Sequence, residues 1–266
     1  MNSTELPIPV LAYHAIEDHP VLDITTVTTT RFSRQLQSWQ QQGVQPVSLQ
    51  DYLQRQGQQR QGEKLLLLTF DDGYTSLLEN ALPLLERYHY PAVLFPVIGY
   101  AGRDNDWDPA RFGHRRRHLD LQQLVAIAGR GFAIGNHGFT HCDGSRLSDE
   151  LLEKEWSRAH QILSERGLAP VAAAWTFGRA EAVARDLLEA SGYQVAFALA
   201  AGDSWPWLVP RLACYRYSRF PFSYERMQSL YSGKRLLQRI PTTCNQLTGL
   251  FQRHCQKMLE EEEMAD

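Results

Sequence analysis

The stretch LLLLTFDDGYTS, residues 65 to 76, places two adjacent aspartates and a glycine at the end of an apolar run. A short unbroken apolar run reads as a strand buried on both faces. An Asp-Gly pair favours turns, so DDGY at 71–74 could simply reverse the chain. Two like charges side by side argue for more than a turn. One carboxylate can bind a cation while its neighbour stays free as a base, because the cation offsets the repulsion between them.

Outward from this strand, apolar runs alternate with stretches at helical spacing. Before it lie the strand IPVLAYH (8–14) and the helix RFSRQLQSWQQQG (31–43), with Phe32, Leu36 and Trp39 on one face and Gly43 as its stop. VQPVSLQDYLQ (44–54) follows as a short strand and a helix capped by Ser48 and Asp51. After it come the helix SLLENALPLLERY (76–88), the strand PAVLFPV (91–97), the helix LDLQQLVAIAG (119–129) and the strand FAIGN (132–136). The order repeats with a long helix at 148–167, the strand VAAAWTF (171–177), a helix at 180–192, the strand YQVAFAL (193–199) and a closing strand near LVPRLACY (208–215). Seven or eight such strands imply an α/β protein whose parallel strands are covered by helices, closed as a barrel or open and doubly wound. In both architectures chemistry gathers at the carboxyl ends of the strands.

Composition bounds the function. A chain of 266 residues, 43% hydrophobic, can bury the core of one α/β domain. A net charge of −3 gives no basic field for nucleic acid or anionic membrane. The opening MNSTELPIPVLAYHAI lacks a basic n-region followed by an apolar h-region, and no run reaches the ~18 apolar residues of a spanning helix. A cytoplasmic location is therefore expected. Cys142, Cys214, Cys244 and Cys255 form no C-x-x-C pair and read as reduced thiols.

A second strand ends in FAIGNHGFTH, which sets His137 and His141 four residues apart. Spacing alone carries little weight, since nine histidines give about 0.3 chance pairs at that separation. Position at a strand end carries more. One aspartate and two imidazoles make a three-ligand set for zinc or a similar divalent ion, with room left for water or substrate. The rival reading of an acidic strand end, the magnesium strand of a P-loop ATPase, needs G-x-x-x-x-G-K-[ST]. The only Gly-Lys pair, in SGKR at 232–235, lacks both the hydroxyl residue and the earlier glycine.

TFDDGY at 69–74 resembles the first motif of the NodB-homology polysaccharide deacetylases, carbohydrate esterase family 4, and HGFTH at 137–141 resembles their second, H-[ST]-x-x-H. LAYHAI at 11–16 and FSRQLQSWQQQGVQPVSLQDYL at 32–53 are similar to the branch containing poly-N-acetylglucosamine deacetylases. The resemblance implies a deformed (β/α) barrel of about seven parallel strands over residues 1–240, leaving 241–266 as a C-terminal helix and acidic tail. It implies one divalent metal ion, zinc first with cobalt, nickel or iron as alternatives, held by Asp72, His137 and His141. Asp71 would be the general base, and the backbone N–H of Tyr74 an oxyanion donor. The implied reaction is hydrolysis of an N-acetyl group on an amino sugar, with polysaccharide-biosynthesis proteins as partners.

The chain departs from the family pattern in three places. The late L-x-H motif is missing, and His14, at the end of the first strand, takes its place as the acid for the leaving amine. Gly138 replaces the usual Ser or Thr. The third motif survives only as WTFGR at 175–179, where Arg179 is the candidate to orient Asp71 and Trp175 a candidate substrate contact. In the long 99–118 connection, Trp107 could stack on a sugar, and Arg111, Arg115, Arg116 and Arg117 could meet a phosphate, against the plainer reading of a solvated charge run. These departures keep open a degenerate saccharide- or partner-binding member, and a small-amide hydrolase.

Overall fold

A computed structural model describes residues 5–18, 24–105, 115–176, 182–199, 207–232 and 258–259. Its strands are β1 (Leu6–Pro7), β2 (Val10–Tyr13), β3 (Gln45–Pro46), β4 (Gln58–Gln59), β5 (Leu65–Asp72), β6 (Val93–Pro96), β7 (Ala133–Ile134), β8 (Ala172–Ala174), β9 (Val195–Ala198), β10 (Leu208–Pro210) and β11 (Leu212–Ala213). The α-helices are α1 (Thr29–Gln42), α2 (Leu49–Gln54), α3 (Leu82–Tyr88), α4 (Leu121–Gly129), α5 (Asp149–Glu165), α6 (Ala182–Ala190) and α7 (Tyr224–Ser232).

Except for the small antiparallel pair of β1 with β4, these strands pair in parallel. The order β11-β2-β5-β6-β7 forms one wall and β8-β9-β10 the other. Asn136, just past β7, joins them: its N–H donates to Ala172 O at 3.0 Å and its carbonyl accepts from Ala174 N at 2.9 Å. The other junction is a kink. Arg211 alone separates β10 from β11, and its N–H donates to Ala198 O at 2.8 Å. One stretch thus pairs with β9 by its first half and with β2 by its second. Seven staves close into a deformed barrel, with β3 added beside the start of β5. This is the fold the motifs implied.

The centre of the wall is β5, buried at all eight positions. Each of its leucines contributes roughly 1.5–3 kcal/mol by leaving water. Helix α1 packs Phe32, Leu36 and Trp39 into the core, with Thr28 capping its start and Gly43 ending it in the left-handed region (φ 70°). At α2, Ser48 Oγ accepts from Asp51 N at 3.0 Å and donates to the Asp51 carboxylate at 2.6 Å. The helix expected over 76–88 begins instead as a π turn, Leu77–Ala81, before α3. Pro83, in the first turn of α3, has no N–H to give the Glu79 carbonyl, so the wider turn loses nothing there. Among the described residues no helix is long and apolar enough to cross a membrane. The expected boundary at 240 and the tail beyond it lie outside the described residues, apart from Met258 and Leu259.

Candidate active site

Thr69 and Asp71, two apart on one face of β5, both reach the guanidinium of Arg211. Arg211 is fully buried. Its two terminal nitrogens each donate at 2.7 Å to an oxygen of Asp71, and one also donates at 3.0 Å to Thr69 Oγ1. This two-pronged geometry is the strong form of an ion pair. Burial opposes ionisation of Asp71, but Arg211, then His137 and His14, outweigh it and hold the carboxyl below its usual range.

The next residue turns the chain. Asp72 takes a left-handed conformation (φ 68°), as does Gly73 (φ 78°), where a Cβ would lie 2.8 Å from the Pro96 side chain. A neighbouring segment fixes this turn. His118 Nδ1 donates to Asp72 O at 2.9 Å, Leu119 N to Gly73 O at 2.8 Å and Thr75 N to Arg117 O at 2.9 Å. The His118 ring packs 4.7 Å from that of Tyr74, and burial pushes its pKa down to about 4.

Asp72, His137 and His141 converge, with one ligand atom from each lying within 4.8 Å of the others. His141 Nε2 is 3.3 Å and His137 Nε2 3.7 Å from Asp72 Oδ1. His137 Nδ1 sits 2.7 Å from Ala174 O. A carbonyl only accepts, so the proton is on Nδ1 and a neutral ring turns the lone pair of Nε2 toward Asp72. Burial pushes the His137 pKa down to about 4, which keeps it neutral near pH 7. Asp72 Oδ1 is buried and accepts no hydrogen bond, yet its carboxyl is held well below the usual range. Burial resists that shift; the His141 ring, then His14 and His137, outweigh it. A buried, ionised oxygen facing a nitrogen lone pair is unfavourable unless a cation lies between them. The donor set therefore fits a divalent ion.

The loop between the histidines has its own support. Gly138 (φ 83°) donates to Asn136 Oδ1 at 2.8 Å, and Phe139 N and Thr140 N donate to Glu155 Oε1 at 2.8 and 2.7 Å. Thr140 Oγ1 donates to Glu155 Oε2 at 2.7 Å. Glu155, on α5, is 3% exposed. The hydroxyl that Gly138 lacks is thus not needed to hold this loop.

The remaining expectations divide. His14, half-buried, follows β2, and its charge reaches both carboxyls. Its Nδ1 is buried without a hydrogen bond. Tyr74 is buried in the clipped turn, at the edge of a polar cavity of about 500 Å³ also lined by Ser76, Glu79, Asn80 and Arg115. Trp175 does not offer a face to substrate: it is 2% exposed and packs edge-on to Trp156, with ring centroids 4.6 Å apart. Trp107, Arg111 and Arg179 lie outside the described residues. The residue that orients Asp71 is Arg211, which sequence reasoning passed over. Arg116 is no solvated charge either, being buried with its Nε 2.7 Å from Glu17 Oε1. Cys214 is a free buried thiol, whereas Cys142 is disulfide-bonded, so the expectation of reduced thiols fails there.

The carboxylate pair and the two histidines lie at the carboxyl ends of parallel strands, where proteins of the βα-barrel class carry their sites. A sequence model described as polysaccharide deacetylase matches residues 58–196, more than half of the chain, and the chain belongs to that family. It is 24% identical over 227 residues to the poly-β-1,6-N-acetyl-D-glucosamine N-deacetylase of Escherichia coli (strain K12), covering 72% of this chain and 34% of that one. The chain spans about half, or less, of the length of the curated relatives it matches. In fold it resembles the Streptococcus pyogenes deacetylase PplD in complex with acetate, with a TM-score of 0.70, 20% identity and coverage of 86% and 99% of the two chains. It also resembles IcaB from Ammonifex degensii, with a TM-score of 0.67, 23% identity and coverage of 87% and 97%.

Proposed function

We propose that the protein removes N-acetyl groups from an amino-sugar polymer or oligomer by metal-dependent hydrolysis. The observation that carries this reading is the buried Asp71–Arg211 pair set directly beside the Asp72–His137–His141 cluster. Poly-β-1,6-N-acetyl-D-glucosamine, named for the E. coli relative, is the substrate class we favour.

Asp72, His137 and His141 would hold the cation, with zinc the first choice for two imidazoles and one carboxylate. Such an ion supplies Lewis acidity at the acetamide carbonyl. Asp71, kept ionised and fixed in direction by Arg211, accepts the proton of the attacking water. The Tyr74 backbone N–H, held in the turn after the aspartates, steadies the oxyanion. His14, at the end of β2, then hands a proton to the departing amine. Polar side chains of the cavity beside Tyr74 offer donors and acceptors to neighbouring sugar hydroxyls.

Metal content and acetate release from N-acetylglucosamine oligomers, measured on wild type, Asp72→Ala and Asp71→Asn, test the proposal. Wild type should carry near-stoichiometric metal and release acetate. Asp72→Ala should lose both, and Asp71→Asn should keep metal while losing roughly 10²–10⁴-fold in turnover. Wild-type turnover in Asp71→Asn would remove the base from the mechanism.

A further inference from the structure

We infer that Glu155 is the positioning residue of the histidine ligands, setting the distance between His137 and His141 through the backbone that joins them. The inference rests on the metal-binding reading of the site given above.

The segment from His137 to His141 leaves the barrel wall just past the Asn136 bridge to β8, and among the described residues no strand pairs with it. Its backbone groups must find partners elsewhere, because a buried N–H left unpaired costs about 1–3 kcal/mol. Gly138 N is taken by the Asn136 side chain, and the carbonyls of Gly138 and Phe139 accept from Ile98 N and Gly99 N at 3.2 and 2.8 Å. That leaves the two N–H groups at the centre of the loop, and both converge on Glu155 Oε1. The second carboxylate oxygen takes the Thr140 hydroxyl. One side chain therefore satisfies three donors lying between the two ligands.

Glu155 is not placed there as a surface acid. Along α5 the buried positions are Leu152, Glu155, Trp156, Ala159 and Leu163, a single helical face turned to the core. An acid on that face is destabilising unless fully hydrogen-bonded, and the histidine loop supplies its partners. The fit leaves no slack. A Cβ at Gly138 would stand 2.5 Å from Glu155 Oε1, so only glycine lets the carboxylate approach the two N–H groups this closely. Glycine at 138 and glutamate at 155 form one device.

The test uses cobalt(II) added to the metal-stripped protein, followed by visible absorption and by competition with a chelator. Thermal unfolding of each metal-free variant is recorded alongside. Wild type should bind one cobalt ion with resolved d–d bands. Glu155→Ala, if folded, should bind roughly 10–100-fold more weakly with an altered band pattern, the loss expected when a ligand's outer support is removed. Glu155→Gln should recover most of that loss, since its Oε1 accepts both N–H groups and its amide reaches Thr140 Oγ1. Should Glu155→Ala fail to fold, Thr140→Val removes the hydroxyl donor alone and should still weaken binding and shift the bands. A folded Glu155→Ala with wild-type affinity and spectrum would overturn the inference while leaving the metal site intact. Absence of cobalt binding in wild type would instead overturn the metal reading, and this inference with it.

Discussion

The two halves of the site reach the same point by different means. Asp71 and Asp72 arrive at the end of β5, an eight-residue strand buried at every position and paired on both sides. His137 and His141 arrive on an irregular loop after a two-residue strand, held by side chains rather than by a ladder. A long central strand places its last residues by register. A loop needs a dedicated brace, and here Asn136 and Glu155 provide it. Precision on the aspartate side therefore holds for as long as the strand stays folded, whereas on the histidine side it depends on a few buried hydrogen bonds.

The sharpest way to probe the aspartate side is Arg211→Met. Removing the guanidinium leaves Asp71 buried and unpaired, which should lower stability by about 3–5 kcal/mol in urea unfolding. Acetate release should fall roughly 10²–10⁴-fold while metal stays bound, because the base has lost its orientation. Metal loss in this variant would mean that the two aspartates do not act separately.

A smaller effect is expected from Leu68→Ala in the same strand. A cavity at this fully buried position should cost about 2–5 kcal/mol in unfolding with metal affinity unchanged. If affinity falls in step with stability, the contrast between strand and loop breaks down.

Acid should act on both sides, through His137 in the histidine loop and through His118, which clips the turn after the aspartates. His137 and His118 are buried with pKa values lowered to about 4, below the ordinary 6.5. Between those values the unfolded chain binds the protons and the folded chain does not, so stability of the metal-free protein should rise with pH. Melting temperatures should hold above about pH 6.5 and drop as pH falls toward about 4, with stability falling by on the order of 1–3 kcal/mol per ring. A flat profile across this window would show that the rings are not held neutral.

What the sequence made legible follows the same division. The apolar run into Asp71 and Asp72 could be read directly, because strand burial is written locally in consecutive residues. His137 and His141 were found by their spacing and by the strand before them. Arg211 was not, since its partner lies 140 residues away and only barrel closure joins them. A signal was nonetheless present: an arginine inside LVPRLACY cannot be buried without a carboxylate. Glu155 was hidden in the same way, in a helix of ordinary acidic composition. Its phase with Leu152, Trp156 and Ala159 marked it as core-facing. Trp175 misled for the opposite reason, since an aromatic beside a loosely matched motif fits a sugar platform as readily as a core position.

The kink at Arg211 carries a consequence for how the chain is made. Asp71, Asp72, His137 and His141 have all been synthesised well before residue 211, so a ribosome or a protease that stops short leaves a chain with all four of these side chains. That chain lacks the guanidinium that holds the Asp71 carboxylate, and also the last stave that shuts the ring. Closure of the ring and the aim of the Asp71 carboxylate thus rest on one residue, and a chain that ends before it lacks both.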